Sequence, residues 1–324
     1  MSQDSRSSPV EPLSVGNIVS SGFQLYREKF QEYLPIALAA VGWSLLPILG
    51  LIVLGLIVAV IMGASQQPVA GAGLGVLGFV AIIVLAVFCS AKSLANSALI
   101  TRLAFGELTN EPEALTEARR FTNSRKWSFF AVQIWVGLIA SGLVLGVYII
   151  AALIGFALFV AVGGVGGGSP NPGLMIIGGG LLLLIIVVAI AAFFWLSARL
   201  FGAAVPLAIE PQILPLQSIK RFWSLTKGNV WRVFLVLLIT FTITLPLYLI
   251  AQVISIIPQG LVLALVRDNP SALAIGNALS SLIGYAVGLL LSVVVLPLWQ
   301  IIQAAVYYDL RTRREGFGLK LRDR

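Results

Sequence analysis

The sequence predicts an all-α, polytopic membrane protein with six transmembrane helices, and three observations lead there. Only 10% of its 324 residues are charged, where a soluble domain carries about 25%. Those charges are missing altogether from residues 33–91 and 127–198. Each uncharged run is far longer than the roughly 20 residues one spanning helix needs, and each has turn residues near its middle, at 65–68 (SQQP) and 163–173 (GGVGGGSPNPG). Each run therefore reads as a hairpin of two spans.

Residues 1–14 are polar and Ser-rich and read as a disordered tail. They hold no short apolar stretch followed by a small-residue cleavage site, so the first span is expected to enter the membrane uncleaved. The six-span membrane domain covers 15–310. Its third hairpin runs from Val233 to about Pro258 and from Gly276 to about Val306, interrupted by Arg267, Asp268, Asn269 and Pro270. Residues 311–324 form a basic cytoplasmic tail.

Of the 21 Lys and Arg residues, 19 fall on the N-terminus, the segments near 102–126 and 199–232, and the C-terminal tail. The positive-inside rule places all of these, and both termini, in the cytoplasm. The expected location is the bacterial inner membrane, or the thylakoid membrane if the source is photosynthetic.

The cytoplasmic segments repeat. FQLYREKF at 23–30, RFTNSRKW at 120–127 and RFWSLTKGNVW at 221–231 each precede a span. RLAFG at 102–106 and RLFG at 199–202 close the first two hairpins, and YYDLR at 307–311 closes the third more loosely. The unit is an amphipathic helix plus a hairpin, used three times over about 15–107, 112–203 and 213–310. In the third copy, Leu216, Ile219, Phe222 and Trp223 share one stripe; in the first, Val15, Ile18, Val19, Gly22, Phe23, Tyr26 and Phe30 do. Such a stripe either lies at the lipid headgroups or packs on the neighbouring spans, and periodicity does not separate the two. On the first reading Lys220, Arg221, Lys227, Arg119, Arg120, Arg27 and Lys29 are the candidate headgroup contacts, with anionic lipid as partner.

Inside the membrane, Gly276, Ser280, Gly284, Gly288 and Ser292 recur every fourth residue and predict a helix-packing face that admits a close neighbour. Lys92 is the one ionisable residue within the spans, with Asn96 one turn on. The pair is a candidate intramembrane polar site, unless the lysine stem carries its charge back to the interface.

Composition narrows the chemistry. There is no His and a single Cys, Cys89, which removes His-based acid–base catalysis, intramolecular disulfides and thiolate metal clusters. No catalytic, cofactor or metal residues are expected. The net charge of +8 hugs the span ends, which favours lipid headgroups over nucleic acid.

PLSVGNIVSSGFQLYREKF at 12–30, SIKRFWSLTKGNVWRVF at 218–234 and VYYDLRTRREGFGLKL at 306–321 resemble the opening, central and closing segments of the membrane domain that accompanies some bacterial glycerophosphoryl diester phosphodiesterases. They also resemble related stand-alone six-helix bacterial membrane proteins of unknown function. The resemblance implies a topology only. The catalytic barrel of that family depends on His and metal-binding carboxylates, and it has no counterpart here.

Two functions are expected from these readings. The first is a non-enzymatic membrane protein that organises lipid or partner proteins at the cytoplasmic face. The alternative is a channel or transporter for a small or lipid-like solute.

Overall fold

The computed structural model describes residues 14–65, 68–161, 172–266 and 269–316. The turns expected at 65–68 and 163–173, the pair Arg267 and Asp268, and the tails at either end lie wholly or mostly outside these. The elements in chain order are α1 (Val15–Ser65), α2 (Pro68–Leu108), α3 (Leu115–Ser124), α4 (Lys126–Ala161), α5 (Pro172–Leu200), α6 (Val205–Ile209), α7 (Pro215–Thr226), α8 (Val230–Val266) and α9 (Pro270–Glu315). No strand occurs among the described residues.

Helices α1, α2, α4, α5, α8 and α9 each contain a window of mean hydropathy between 2.3 and 3.0, long enough to cross a bilayer. The chain is a six-span, multi-pass membrane protein. In hydrocarbon every backbone donor needs an internal partner, and a helix supplies one for each residue. The hairpins α1–α2 and α8–α9 pack against each other through α1 and α9, while the α4–α5 hairpin attaches through α2 and α8.

The core sits at one end. Ile18, Ile36, Leu99, Ile100, Phe222, Ile301, Ile302, Tyr307 and Leu310 are all at most 2% exposed, and all lie near the charged segments. Toward the other end, Leu56, Val60, Leu77, Leu145, Phe156, Leu183 and Leu265 are more than half exposed. Lipid tails are as apolar as leucine, so no hydrophobic force draws these side chains inward. The basic end is held by protein contacts and the far halves of the spans face lipid.

The three lead-in helices take two forms. α3 and α7 are separate short helices, ended at Arg125 and by Gly228, whose φ of +83° is the left-handed conformation a glycine adopts cheaply. The first of the segments expected as lead-in helices instead runs straight into its span as the 51-residue α1. At 1.5 Å per residue that helix is about 77 Å long, so it must project well beyond a ~30 Å hydrocarbon core. At the C-terminus α9 continues to Glu315 and stops at Gly316, φ +60°. Arg311, Arg313 and Arg314 are therefore helical.

The apolar stripes of the lead-in helices pack on protein. On α7, Ile219, Phe222 and Leu225 are buried; on α1, Ile18, Val19 and Leu25 are; on α3, Ala118 and Thr122 are. Gly22 of α1 meets the Ile302 side chain, and the Tyr26 hydroxyl donates to the Val294 carbonyl at 3.0 Å. Of the two readings left open by the sequence, burial decides for packing at these positions. Phe23, Leu115 and Leu216 remain exposed.

Candidate functional site

The basic end is a layer in which inward and outward bases do different work. Arg125, the residue between α3 and α4, turns onto α6 and the loop that joins it to α7, and donates to the carbonyls of Leu207, Glu210 and Ile213. Burial holds its guanidinium below the ordinary arginine value, with the like charge of Arg102 adding to the effect. Arg102, near the end of α2, forks onto Glu113 at 2.5 and 3.0 Å, donates to the Ala208 carbonyl, and lies 3.9 Å from the Phe121 ring centroid. Arg199, near the end of α5, donates to the Trp223 carbonyl and lies 4.9 Å from the Trp223 ring centroid. The two similar hairpin exits thus each send an arginine onto an aromatic of the next lead-in helix. Planar guanidinium over an aromatic face is favourable, and more so when desolvated.

Two carboxylates complete this inner layer. Asp309 on α9, 1% exposed, takes Arg232 of α8 at 2.9 Å and Arg313 of its own helix at 3.1 Å. Glu210 accepts from the Tyr307 hydroxyl at 2.6 Å and pairs with Arg221, which also reaches Glu315 at 2.7 Å. Burial alone would lower the Arg221 pKa; Glu210 and Glu315 outweigh it, so the pKa rises.

The seven candidate headgroup bases divide accordingly. Arg221 faces Glu210 and Glu315, and Lys29 faces Glu32 and Glu107 at 3.3 and 3.2 Å. Arg27, Arg119, Arg120, Lys220 and Lys227 are exposed, and their side chains make no ion pair among the described residues. Trp127 and Trp231, 50% and 70% exposed, flank this layer, as tryptophan does at a membrane–water boundary.

Lys92 and Asn96 sit closer to the surface than an intramembrane pair would. The Lys92 ammonium donates to the Asn123 side-chain oxygen at 2.8 Å and stands 5.9 Å from the Trp43 ring centroid. Since Asn123 lies in the last turn of α3, Lys92 carries its charge to the level where α4 begins. Asn96 turns its amide back to the Lys92 carbonyl at 2.9 Å. Between α1, α2 and α3 these residues line a notch of about 240 Å³, with Trp43, Arg119 and Thr122.

A second cavity, of about 130 Å³, lies where α2, α4 and α9 face the α5–α6 junction. Thr101 donates to the Gln300 side-chain oxygen there at 2.7 Å, and Gln133 and Gln303 also line it. Its polar groups are uncharged. Deeper along α8, the Thr240 and Thr244 hydroxyls bond carbonyls of their own helix.

The Gly ladder on α9 splits. A Cβ on Gly276 would stand 2.5 Å from the Val262 Cγ1 of α8, and one on Gly284 would stand 3.4 Å from Ser255. Ser280 between them is 1% exposed. A Cβ on Gly288 would meet nothing within 4 Å, and Ser292 is exposed. The seam packs α8 over its first half and is open over its second.

No family model, curated protein or solved structure matches the chain. Its site is described by its own geometry. Sequence reasoning missed Arg125, Glu210, Asp309 and Asn123. Asp309 and Arg313 had a signal, an acid four residues before a base on one helix. Asn123 had none, because its contact with Lys92 joins helices 31 residues apart.

Proposed function

We propose that this chain is a non-enzymatic membrane protein whose basic end lies at the cytoplasmic face, binds anionic lipid there, and so organises lipid or partner proteins. One observation carries the reading. The basic layer contains arginines committed to protein partners and, outside them, Arg27, Arg119, Arg120, Lys220 and Lys227 exposed without carboxylates among the described residues. Each such base near an anionic surface adds about 1 kcal/mol of attraction. The charge bias across the spans supports a cytoplasmic position for this end, and the resemblance of three segments to six-helix bacterial membrane proteins favours the inner membrane.

The test uses full-length protein in nanodiscs of phosphatidylglycerol or phosphatidylcholine. The thermal midpoint is expected to be higher in the anionic lipid, to lose that excess in 1 M salt, where screening acts within about 3 Å, and to lose part of it when Arg27, Lys220 and Lys227 are changed to Gln. Equal midpoints in the two lipids at low salt would refute the proposal.

The amide-lined cavity at Thr101 and Gln300 favours a second reading, passage of an uncharged polar solute. If so, liposomes containing the protein swell faster in glycerol than empty ones, and Gln300→Leu removes the difference. Equal swelling rates exclude this reading.

A further inference from the structure

The outward bases of a membrane protein usually form a diffuse charged surface. One place on this chain departs from that pattern: the notch between α1, α2 and α3. Its floor is opened by the small side chains Ala39 and Ala95, and two cations stand at it. Lys92 is held in place by a neutral amide, Asn123, at 2.8 Å, so its position is fixed while its charge stays uncompensated. Arg119 is exposed and has no carboxylate partner among the described residues. The acids nearest in sequence do not cancel them: Glu113 is taken by Arg102, and Glu117 lies two residues before Arg119 on α3, which places it on another side of that helix.

The remaining donors converge as well. Lysine has three N–H groups and arginine five; Asn123 takes one from Lys92 and keeps its own NH₂. This set suits a group with several anionic oxygens. The surroundings say where that group comes from. Trp43 packs edge-on against Phe88 at 6.0 Å, and Phe88 against Trp127 at 6.4 Å, an aromatic band at the depth of the headgroups. Leu38 and Leu46 of α1, which bracket the notch residues Ala39 and Trp43 along the helix, are 51% and 42% exposed, apolar surface beside the notch on which acyl chains can lie.

We infer that the notch is a specific site for the phosphate-bearing headgroup of an anionic phospholipid, with Lys92 and Arg119 as its cationic contacts and Asn123 as the residue that positions Lys92. The site deepens the lipid reading above and rests on it. Lys92 is then neither a stranded intramembrane charge nor a proton carrier. It marks the place where one lipid is held in a defined pose while the other outward bases bind diffusely.

The experiment measures phosphatidylglycerol retained by the detergent-solubilised full-length protein, by native mass spectrometry, against phosphatidylcholine and against soluble glycerol 1-phosphate. Wild type is expected to keep one phosphatidylglycerol in preference to phosphatidylcholine, and glycerol 1-phosphate, without chains, is expected not to displace it. Lys92→Gln and Arg119→Gln each remove a charge-assisted contact and are expected to weaken retention about tenfold or more. Asn123→Asp keeps the side-chain shape but gives Lys92 a carboxylate, and is expected to weaken retention as much; Lys92→Arg is expected to preserve it. Thr242→Val, on α8 and outside the notch lining, leaves the single retained lipid in place. If wild type retains both lipids equally, the lipid reading fails with the site. If it prefers phosphatidylglycerol and the preference survives in Lys92→Gln and Asn123→Asp, only the site is overturned. Displacement by glycerol 1-phosphate overturns the lipid assignment in favour of a free phosphate compound.

Discussion

Gly202 leaves room for Phe222: a Cβ at position 202 would fall against the edge of the buried Phe222 ring, closer than any carbon contact allows. The glycine that ends RLFG therefore lets α7 seat its central aromatic against the α5–α6 junction. Ser218, one turn earlier on α7, bridges the same junction by donating to the Ala203 carbonyl at 2.6 Å and accepting from the Leu207 amide at 3.1 Å. Gly202→Ala is expected to destabilise the protein by about 1–3 kcal/mol through overpacking, read as a lower thermal midpoint in detergent. Adding Phe222→Leu should recover part of the loss, since neighbours that share a contact are not additive. An unchanged midpoint in Gly202→Ala alone means that α7 is free to move aside.

Asp309 is the second point where one residue ties several elements. It is 1% exposed and holds Arg232 and Arg313. Asp309→Asn keeps the shape and removes the charge that Arg232 of α8 and Arg313 both face. Breaking a buried pair costs about 3–5 kcal/mol; both arginines retain some solvent, so the lower figure is expected. Arg313→Gln should cost less than about 1 kcal/mol, because Arg232 still satisfies the acid. Equal losses in the two variants would show that Asp309 is not shared in this way.

The six spans were legible because the cost of placing a charge in hydrocarbon acts on each residue separately and leaves a mark in the sequence itself. The lead-in segments at 15–30 and 215–226 were legible for a related reason, their 3.6-residue apolar stripes. What those stripes touch was not legible. Phe222 buried against Gly202 and a helix lying in headgroups give the same periodicity, and only the neighbour distinguishes them. The site was read in part. Lys92 stood out by its isolation, but its placement at the interface depends on Asn123 of another helix, and Arg221 and Lys29 lost their candidacy as free bases through carboxylates at 210, 315, 32 and 107.

Orientation follows from the distribution of charge. Single cysteines at Ser7 and Ser169, in a Cys89→Ser background, are expected to react with an impermeant thiol reagent in intact cells only at 169. Cys89 is fully buried, so its removal clears the background at the cost of one small packed side chain. Reaction at position 7 would reverse the topology and place the notch on the other face of the membrane.

The split in the α9 ladder gives two glycines at the same four-residue spacing with opposite expectations. A side chain at 276 has Val262 of α8 2.5 Å from its Cβ position, with Ser280 buried one turn on. A side chain at 288 has nothing within 4 Å. Gly276→Leu must push α8 away over a seam where close approach supplies the packing energy, whereas Gly288→Leu extends into lipid and exchanges glycine for a better helix former, a difference of up to about 1 kcal/mol. The thermal midpoint in detergent is expected to fall for Gly276→Leu and to hold or rise for Gly288→Leu. A fall in both would mean that the open half of the ladder meets another helix in the membrane, and cross-linking between cysteines at 288 on two copies of the chain would then reveal whether that helix is a second α9.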